Sequence, residues 1–418
     1  MKLNTMRAVD LWVGIPLCFL FSRLQWLFTP GKGPDKPRRI LFLELSEMGS
    51  TILANPALRK AKDELGAEIF FCIFERNVDS LKLLDTVPLE NIVTIRENSL
   101  WQLLTGSLKL LLWTRRNNID TVVDLELFSR YSALLTGLSG AYRRVGFYRF
   151  HSEGLYRGTM MTHRINYNGH IHITKNFVAM INALLATKPE VPYSKTHVSE
   201  EEIRVPIVEV SEPKLEEMRG LIRQVYPDYR PEYHRIVLIN PNSSEMLPQR
   251  RWPKENYSEL ARLVATRHED TLVLITGSKS ERAEALEMQE KINHPRYRSF
   301  AGMHKLPGLL PLYNLASVLV TNDSGPAHFS AITPIRSIVL FGPETPRLYG
   351  SLGNTEAITS DLSCSPCVMA TNQKNSACND AVCMRLITPE RVYESIRAVL
   401  AGETKQGIGQ TISVVGSK

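Results

Sequence analysis

Residues 318–350, VLVTNDSGPAHFSAITPIRSIVLFGPETPRLYG, restrict the possible folds more than any other stretch. An apolar strand, Val318–Val320, enters a short polar loop, Thr321–Pro326, then a helix at Ala327–Ala331. A second apolar strand, Ser337–Phe341, follows and ends at the turn Gly342–Pro343. Two strands joined through a helix lie parallel in a sheet that the helix covers. Small residues just after a strand leave the first amides of the next helix open to an anion. Asp323 falls at the carboxyl edge of its strand, where open α/β sheets bind ligands. His328 lies about one helical turn further on, so both side chains can face one pocket. The alternative is an ordinary connection in which Asp323 or Ser324 caps the helix.

The rest of the chain repeats this alternation. A strand at Arg39–Leu45 leads into a tight turn, Ser46–Ser50, containing Gly49, and then into a helix at Thr51–Leu65. Strands at Glu68–Glu75 and Thr121–Leu125 flank a helix at Leu100–Arg116, and a helix near Ile173–Ala186 closes a first domain. A second begins with the strand Arg235–Asn240, then a helix at Lys254–Arg267, a strand at Thr271–Thr276 and a helix at Glu281–Ile292. The expected class is therefore α/β with parallel sheets. At 418 residues the chain suits two such domains better than one core. The expected divisions are 1–37, an apolar segment and linker; 38–195; 196–234, an interdomain stretch with a charged helix at Pro213–Val225; 235–402; and 403–418, a disordered Gly/Lys/Ser-rich tail.

Charge is unevenly spread. Residues 1–39 hold seven Lys and Arg against Asp10 and Asp35, which is +5 of the net +7. That charge flanks the apolar run Leu11–Phe28, so membrane headgroups suit it and nucleic acid does not. The run has no small-residue cleavage site, and Pro16 and Arg23 interrupt it. Three forms are open: a spanning helix, an interfacial anchor with Trp12, Arg23 and Trp26 at headgroup level, or a helix packed on the protein itself. Basic residues after the segment place the body on the cytoplasmic face of the inner membrane, with Thr29–Pro37 as linker.

The run NDSGPAHFSAITPIRSIVLFGPETP resembles glycosyltransferase family 9, the ADP-heptose:lipopolysaccharide heptosyltransferase group. Its members carry D-[ST]-G-x-x-H, a small-residue helix, a proline and then L-F-G-P-T-x-P. The matching residues are Asp323, Ser324, Gly325, His328, Pro334, Leu340, Phe341, Gly342, Pro343 and Pro346. Asn118–Phe147 is similar to a second family block. The resemblance implies a GT-B fold, two Rossmann-like domains with parallel sheets facing a cleft. It also implies an inverting glycosyltransferase that moves heptose or a related sugar from a nucleoside diphosphate to a membrane-bound lipopolysaccharide or glycolipid acceptor. Its partners would be a nucleotide-sugar donor, a lipid-linked saccharide and the inner membrane face. The alternative is a non-catalytic, membrane-tethered sugar-nucleotide binder; a GT-B epimerase would not need the apolar segment.

Transfer requires a stabilised leaving diphosphate and a base for the acceptor hydroxyl. The loop Pro241–Pro253 offers Asn242 and Ser243, with Arg250 where the family has a phosphate-contacting lysine. A guanidinium grips two phosphate oxygens at once, and no D-x-D motif stands out, so no cofactor is expected for transfer. Glu281 falls where the family places a ribose-facing glutamate, and it also suits the first turn of a helix. In the first domain the family reads L-S-x-x-G-D, with the aspartate as base, whereas this chain has Leu45-Ser46-Glu47-Met48-Gly49-Ser50. Serine is too weak a base at neutral pH, which makes Glu47 the nearest candidate, with Asp124 and Glu126 next. Ser50 can instead cap the helix. His172 matches a family histidine. Cys364, Cys367, Cys378 and Cys383 have spacings suited to structural zinc or an iron–sulfur cluster, with free thiols or a labile disulfide as alternatives.

Overall fold

Near-continuous apolar runs make strands that are buried on both faces, and the first half of the chain builds a parallel sheet from them. β1 (Arg39–Leu43), β2 (Glu68–Phe74), β3 (Ile92–Ile95), β4 (Thr121–Asp124), β5 (Arg143–Phe147) and β6 (His163–Ile165) are ordered β3-β2-β1-β4-β5-β6. Neighbouring strands are parallel throughout. With them go α1 (Leu3–Trp12), α2 (Gly14–Arg23), α3 (Ser50–Leu65), α4 (Leu100–Arg116), α5 (Arg130–Leu138) and α6 (Ile173–Leu185). The computed structural model describes residues 3–27, 31, 33–151, 154–244, 247–403 and 409–414. Phe28, Thr29, Pro30 and Lys32 of the expected anchor and linker, and Glu245 and Met246 of the Pro241–Pro253 loop, lie outside the described residues.

The second sheet follows the same rule. β7 (Arg235–Asn240), β8 (Thr271–Ile275), β9 (Tyr297–Ser299), β10 (Val318–Asn322), β11 (Arg336–Leu340), β12 (Asn354–Thr359) and β13 (Gly409–Val414) lie in the order β13-β12-β11-β10-β7-β8-β9, all parallel. Its helices are α7 (Glu212–Val225), α8 (Lys254–Arg267), α9 (Arg282–Ile292), α10 (Leu309–Leu315), α11 (Gly325–Ser330), α12 (Pro346–Tyr349), α13 (Val382–Arg385) and α14 (Pro389–Leu400). In each sheet the strand order reverses beside the first strand, between β1 and β4 and between β7 and β10. Loops leaving the carboxyl ends of those strands frame the crevice where doubly wound sheets take ligands.

The chain divides into two units, Met1–Arg204 with Ala370–Gln373, and Val205–Met369 with Lys374–Lys418. The stretch expected between domains is thus shared. From Val205 it belongs to the second unit, where Met218 and Ile222 of α7 are buried. The tail expected to be disordered is corrected in part: residues 409–414 form β13, paired in parallel with β12. The run Thr411-Ile412-Ser413-Val414 is rich in β-branched residues, which suits a strand, and it lies outermost in the sheet beside β12. Residues 404–408 and 415–418 lie outside the described residues.

The apolar N-terminal run is two helices docked on the first unit. Residues 5–23 are long and apolar enough to cross a membrane, but one face is committed to protein. Asp10 accepts from the amides of Arg130 (2.9 Å) and Tyr131 (3.0 Å) and pairs with the buried Arg130 guanidinium at 2.9 Å. It thereby neutralises the first turn of α5. Cys18 packs against Ala133, Met160 and Met161, and Ser22 Oγ accepts from Thr159 N at 2.8 Å. Gly158, at φ +76°, lets this happen, because a Cβ there would sit 2.8 Å from the Cys18 carbonyl oxygen.

Candidate functional site

At the switch point of the second sheet, Asn322 ends β10 and is fully buried. Its Nδ2 donates to the carbonyls of Pro241 (2.9 Å) and Asn242 (3.3 Å) in the loop after β7. Its Oδ1 accepts from Trp252 N (3.0 Å) and Tyr257 Oη (2.9 Å). One amide side chain thus fastens the expected phosphate loop to the β10 edge. Trp252 is buried beneath that loop and donates its indole N–H to Ile387 O at 2.8 Å. Replacing Asn322 by alanine orphans several buried groups and is expected to cost about 3 kcal/mol of stability. Urea unfolding measures this, and a loss below about 1 kcal/mol would remove Asn322 from this fastening role.

The next residue, Asp323, is 4% exposed, and its Oδ2 lies 3.5 Å from Arg250 Nε. Two residues far apart in the second domain's sequence therefore share one site. Arg250 Nη2 also pairs with Glu344, which is 2% exposed and whose other carboxylate oxygen is 3.8 Å from Lys374 Nζ. Lys374 lies over the Tyr349 ring, 4.7 Å from its centroid. The result is a four-charge cluster, two cations and two carboxylates, at the carboxyl edge of β7, β10 and β11. Glu344 and Lys374 were not among the sequence candidates. Glu344 lies inside the FGPETP run, at the position where the family has threonine, and that difference was the available signal.

The other donor-side candidates sit around this cluster or serve local geometry. Asn242 N donates to Asn240 Oδ1 at 3.3 Å, and the Ser243 carbonyl accepts from Arg251 Nη2 at 3.0 Å. Ser324 Oγ donates to Asn322 O at 3.2 Å, holding the turn into α11. Gly325 opens that helix, and His328, 9% exposed, lies one turn in. Glu281 closes a capping box by accepting from Ser278 N at 2.6 Å.

The three carboxylates weighed as base, Glu47, Asp124 and Glu126, lie at the first sheet's switch point. Glu126, after β4, accepts from the amides of Leu45 (2.8 Å) and Ser46 (3.0 Å) and from Ser46 Oγ (3.1 Å). It positions the turn after β1. Burial pushes its carboxyl above the ordinary range, against the pull of the Leu45 amide, and the Asp124 and Glu47 charges add to the rise. Asp124 is fully buried and ion-paired with Arg157, with Ser132 also donating to that network, so it belongs to the packing. Glu47 is half-buried, and its Oε2 accepts from Ser50 Oγ at 3.4 Å. Ser50 does not cap α3, which starts without a side-chain cap. His172 caps α6, its Nδ1 accepting from Thr174 N at 3.3 Å.

Among the described residues no disulfide joins the four C-terminal cysteines. Cys364 is exposed, Cys367 and Cys378 are half-buried near Ser376, and Cys383 lies under Gly342. Burial pushes the Cys383 thiol above its ordinary value, and Cys367, Cys378 and Cys364 push it further. Among the described residues, no group of three or more His, Cys, Asp or Glu side chains is arranged to hold a metal ion.

The chain is 27% identical over 168 residues to lipooligosaccharide heptosyltransferase 2 of Campylobacter jejuni, covering 39% of this chain and 51% of that protein. It is 25% identical over 194 residues to lipopolysaccharide heptosyltransferase 2 of Salmonella typhimurium, covering 46% and 54%. The chain's matches thus span about half the length of these curated relatives. Its fold is that of the E. coli ADP-heptose lipopolysaccharide heptosyltransferase II, with a TM-score of 0.66 at 19% identity over 87% of this chain and 99% of that one. A Veillonella parvula family 9 glycosyltransferase gives 0.65 at 16% identity over 88% and 98%. The family model described as glycosyltransferase family 9 (heptosyltransferase) matches residues 109–377, well over half the chain and including Arg250, Asp323 and Glu344. The chain belongs to glycosyltransferase family 9, the heptosyltransferase family.

Proposed function

We propose that the chain transfers a heptose, or a related sugar, from an ADP-heptose-like donor to a lipid-linked saccharide on the cytoplasmic face of the inner membrane. The observation that carries this reading is the cluster of Arg250, Asp323, Glu344 and Lys374 at the carboxyl edge of the second sheet. Arg250 and Lys374 take the leaving diphosphate, and the carboxylates of Asp323 and Glu344 accept hydroxyls of the donor. Glu47 takes the proton from the acceptor hydroxyl as it attacks the anomeric carbon. A single displacement of this kind inverts that carbon. Relatives named as lipopolysaccharide and lipooligosaccharide heptosyltransferases support the sugar class and the acceptor class.

The second reading is a sugar-nucleotide binder without transferase activity, and Ser50 in place of the family's aspartate favours it. Calorimetric titration of the purified chain with ADP-heptose, UDP-GlcNAc and GDP-mannose separates the donors. ADP-heptose is expected to bind at least about tenfold more tightly than the others, and a preference for another nucleotide overturns the donor assignment. Transfer to a lipid-linked saccharide in detergent is then expected to persist in excess chelator, because side-chain cations supply the positive charge. Tight donor binding without transfer would favour the binder.

A further inference from the structure

Most of the exposed large apolar side chains of the first unit are gathered on two adjoining helical segments. On the N-terminal pair they are Trp12, Val13, Phe19, Leu20, Trp26 and Leu27; on α4 they are Leu100, Trp101, Leu104, Leu108 and Leu112. The α4 residues follow a spacing of four along one helix face, while Leu110 and Thr114 point into the core. Three of the chain's five tryptophans, Trp12, Trp26 and Trp101, are more than two-thirds exposed. A soluble surface seldom leaves such residues grouped without a partner.

One element ties the two segments together. Tyr131 in the first turn of α5 donates its amide to Asp10 of α1 at 3.0 Å, and its hydroxyl lies 2.8 Å from Ser107 of α4. Met6 of α1 and Leu103 of α4 pack on the same core cluster. The electrostatics of the face are one-sided. α4 has Lys109, Arg115 and Arg116 and no acidic residue, and an open groove on it is lined by Thr105, Leu108, Lys109, Leu112, Trp113 and Arg116. Asp10, the acid of α1, is neutralised by Arg130, whereas Arg23 at the end of α2 is exposed.

We propose that α4 and the α1–α2 pair form one docking face that lies flat in the headgroup region of an anionic bilayer. The occupant follows from complementarity: leucines enter the acyl boundary, tryptophans sit at headgroup level, and the cations meet lipid phosphates. The pair lies on the membrane and does not cross it. Crossing would undock Cys18 and Ser22 and carry Asp10, bonded to α5, into hydrocarbon. The inference rests on the proposed lipid-linked acceptor but concerns residues of the first unit, whereas the donor cluster belongs to the second, so the two fail separately.

The test is co-sedimentation of the full chain with vesicles of phosphatidylcholine alone or with 30% phosphatidylglycerol. Wild type is expected to partition onto the anionic vesicles, more weakly at high salt. The exposed α4 double variant Leu104→Glu/Leu108→Glu is expected to bind at least about tenfold less, with its thermal midpoint and ADP-heptose affinity kept. A variant that binds as wild type removes α4 from the face, and equal binding to both vesicle types removes the anionic-lipid occupant. Light scattering showing that the variant breaks a dimer, with vesicle binding unchanged, would assign the face to a second copy of the chain. Loss of ADP-heptose binding with vesicle binding intact would sink the donor reading alone.

Discussion

Glu47→Gln is expected to lower turnover about 10²–10⁴-fold, the usual contribution of one general base. Glutamine keeps the shape and still accepts from Ser50 Oγ, which lies 3.4 Å from Glu47, but it takes no proton. Donor affinity is expected to stay within about twofold, because the substitution lies outside the second unit that holds the donor cluster. Two companion variants separate base from scaffold. Glu126→Gln retains a carbonyl oxygen for the Leu45 and Ser46 amides, so it is expected to keep most activity. Ser50→Asp puts a carboxylate at the position where the family has one, and should rescue part of the Glu47→Gln loss. Single-turnover rates at saturating donor decide the matter. Turnover in Glu47→Gln close to wild type, with a collapse in Glu126→Gln, would transfer the role to Glu126.

Arg250→Ala is expected to weaken donor binding by one to two orders of magnitude, the value of about one charge-assisted contact to phosphate. It should also destabilise the protein, by about 3 kcal/mol, because Glu344 and Asp323 are buried and lose their shared cation. The two effects are separable. Arg250→Ala combined with Glu344→Gln removes one of the two carboxylate charges that lose Arg250 and is expected to recover part of the stability but not the affinity. Arg250→Lys keeps the charge without the fork and should fall between wild type and alanine in donor affinity. Calorimetry with ADP-heptose and thermal unfolding read the two quantities independently. Undiminished donor binding in both the alanine and the double variant would remove Arg250 from the pocket.

Much of this protein can be read along the chain. The two parallel sheets follow from apolar runs alternating with helices, because burial on both faces leaves a continuous apolar pattern in the sequence. The loops after β7 and β10 were legible for a related reason: Asn242, Ser243, Arg250 and Asp323 stand just after strands, and the reversal of strand order brings both loops to one crevice.

What only the tertiary structure decided are the pairings across long separations. Asn322 fastens a loop some 70 residues earlier, and Glu344 pairs with Arg250 across 94 residues. Neither carries a local periodicity that would single it out. Asp124 and Glu126 both looked like bases because each is a carboxylate after a strand; Arg157 makes the first a buried ion pair, and the Leu45 and Ser46 amides make the second a scaffold. At the N-terminus, composition and the flanking charges favoured lipid over packing on the protein. Asp10 against Arg130 decided which face is packed and which is left open, because a charge settles where its partner is, and hydropathy does not record partners.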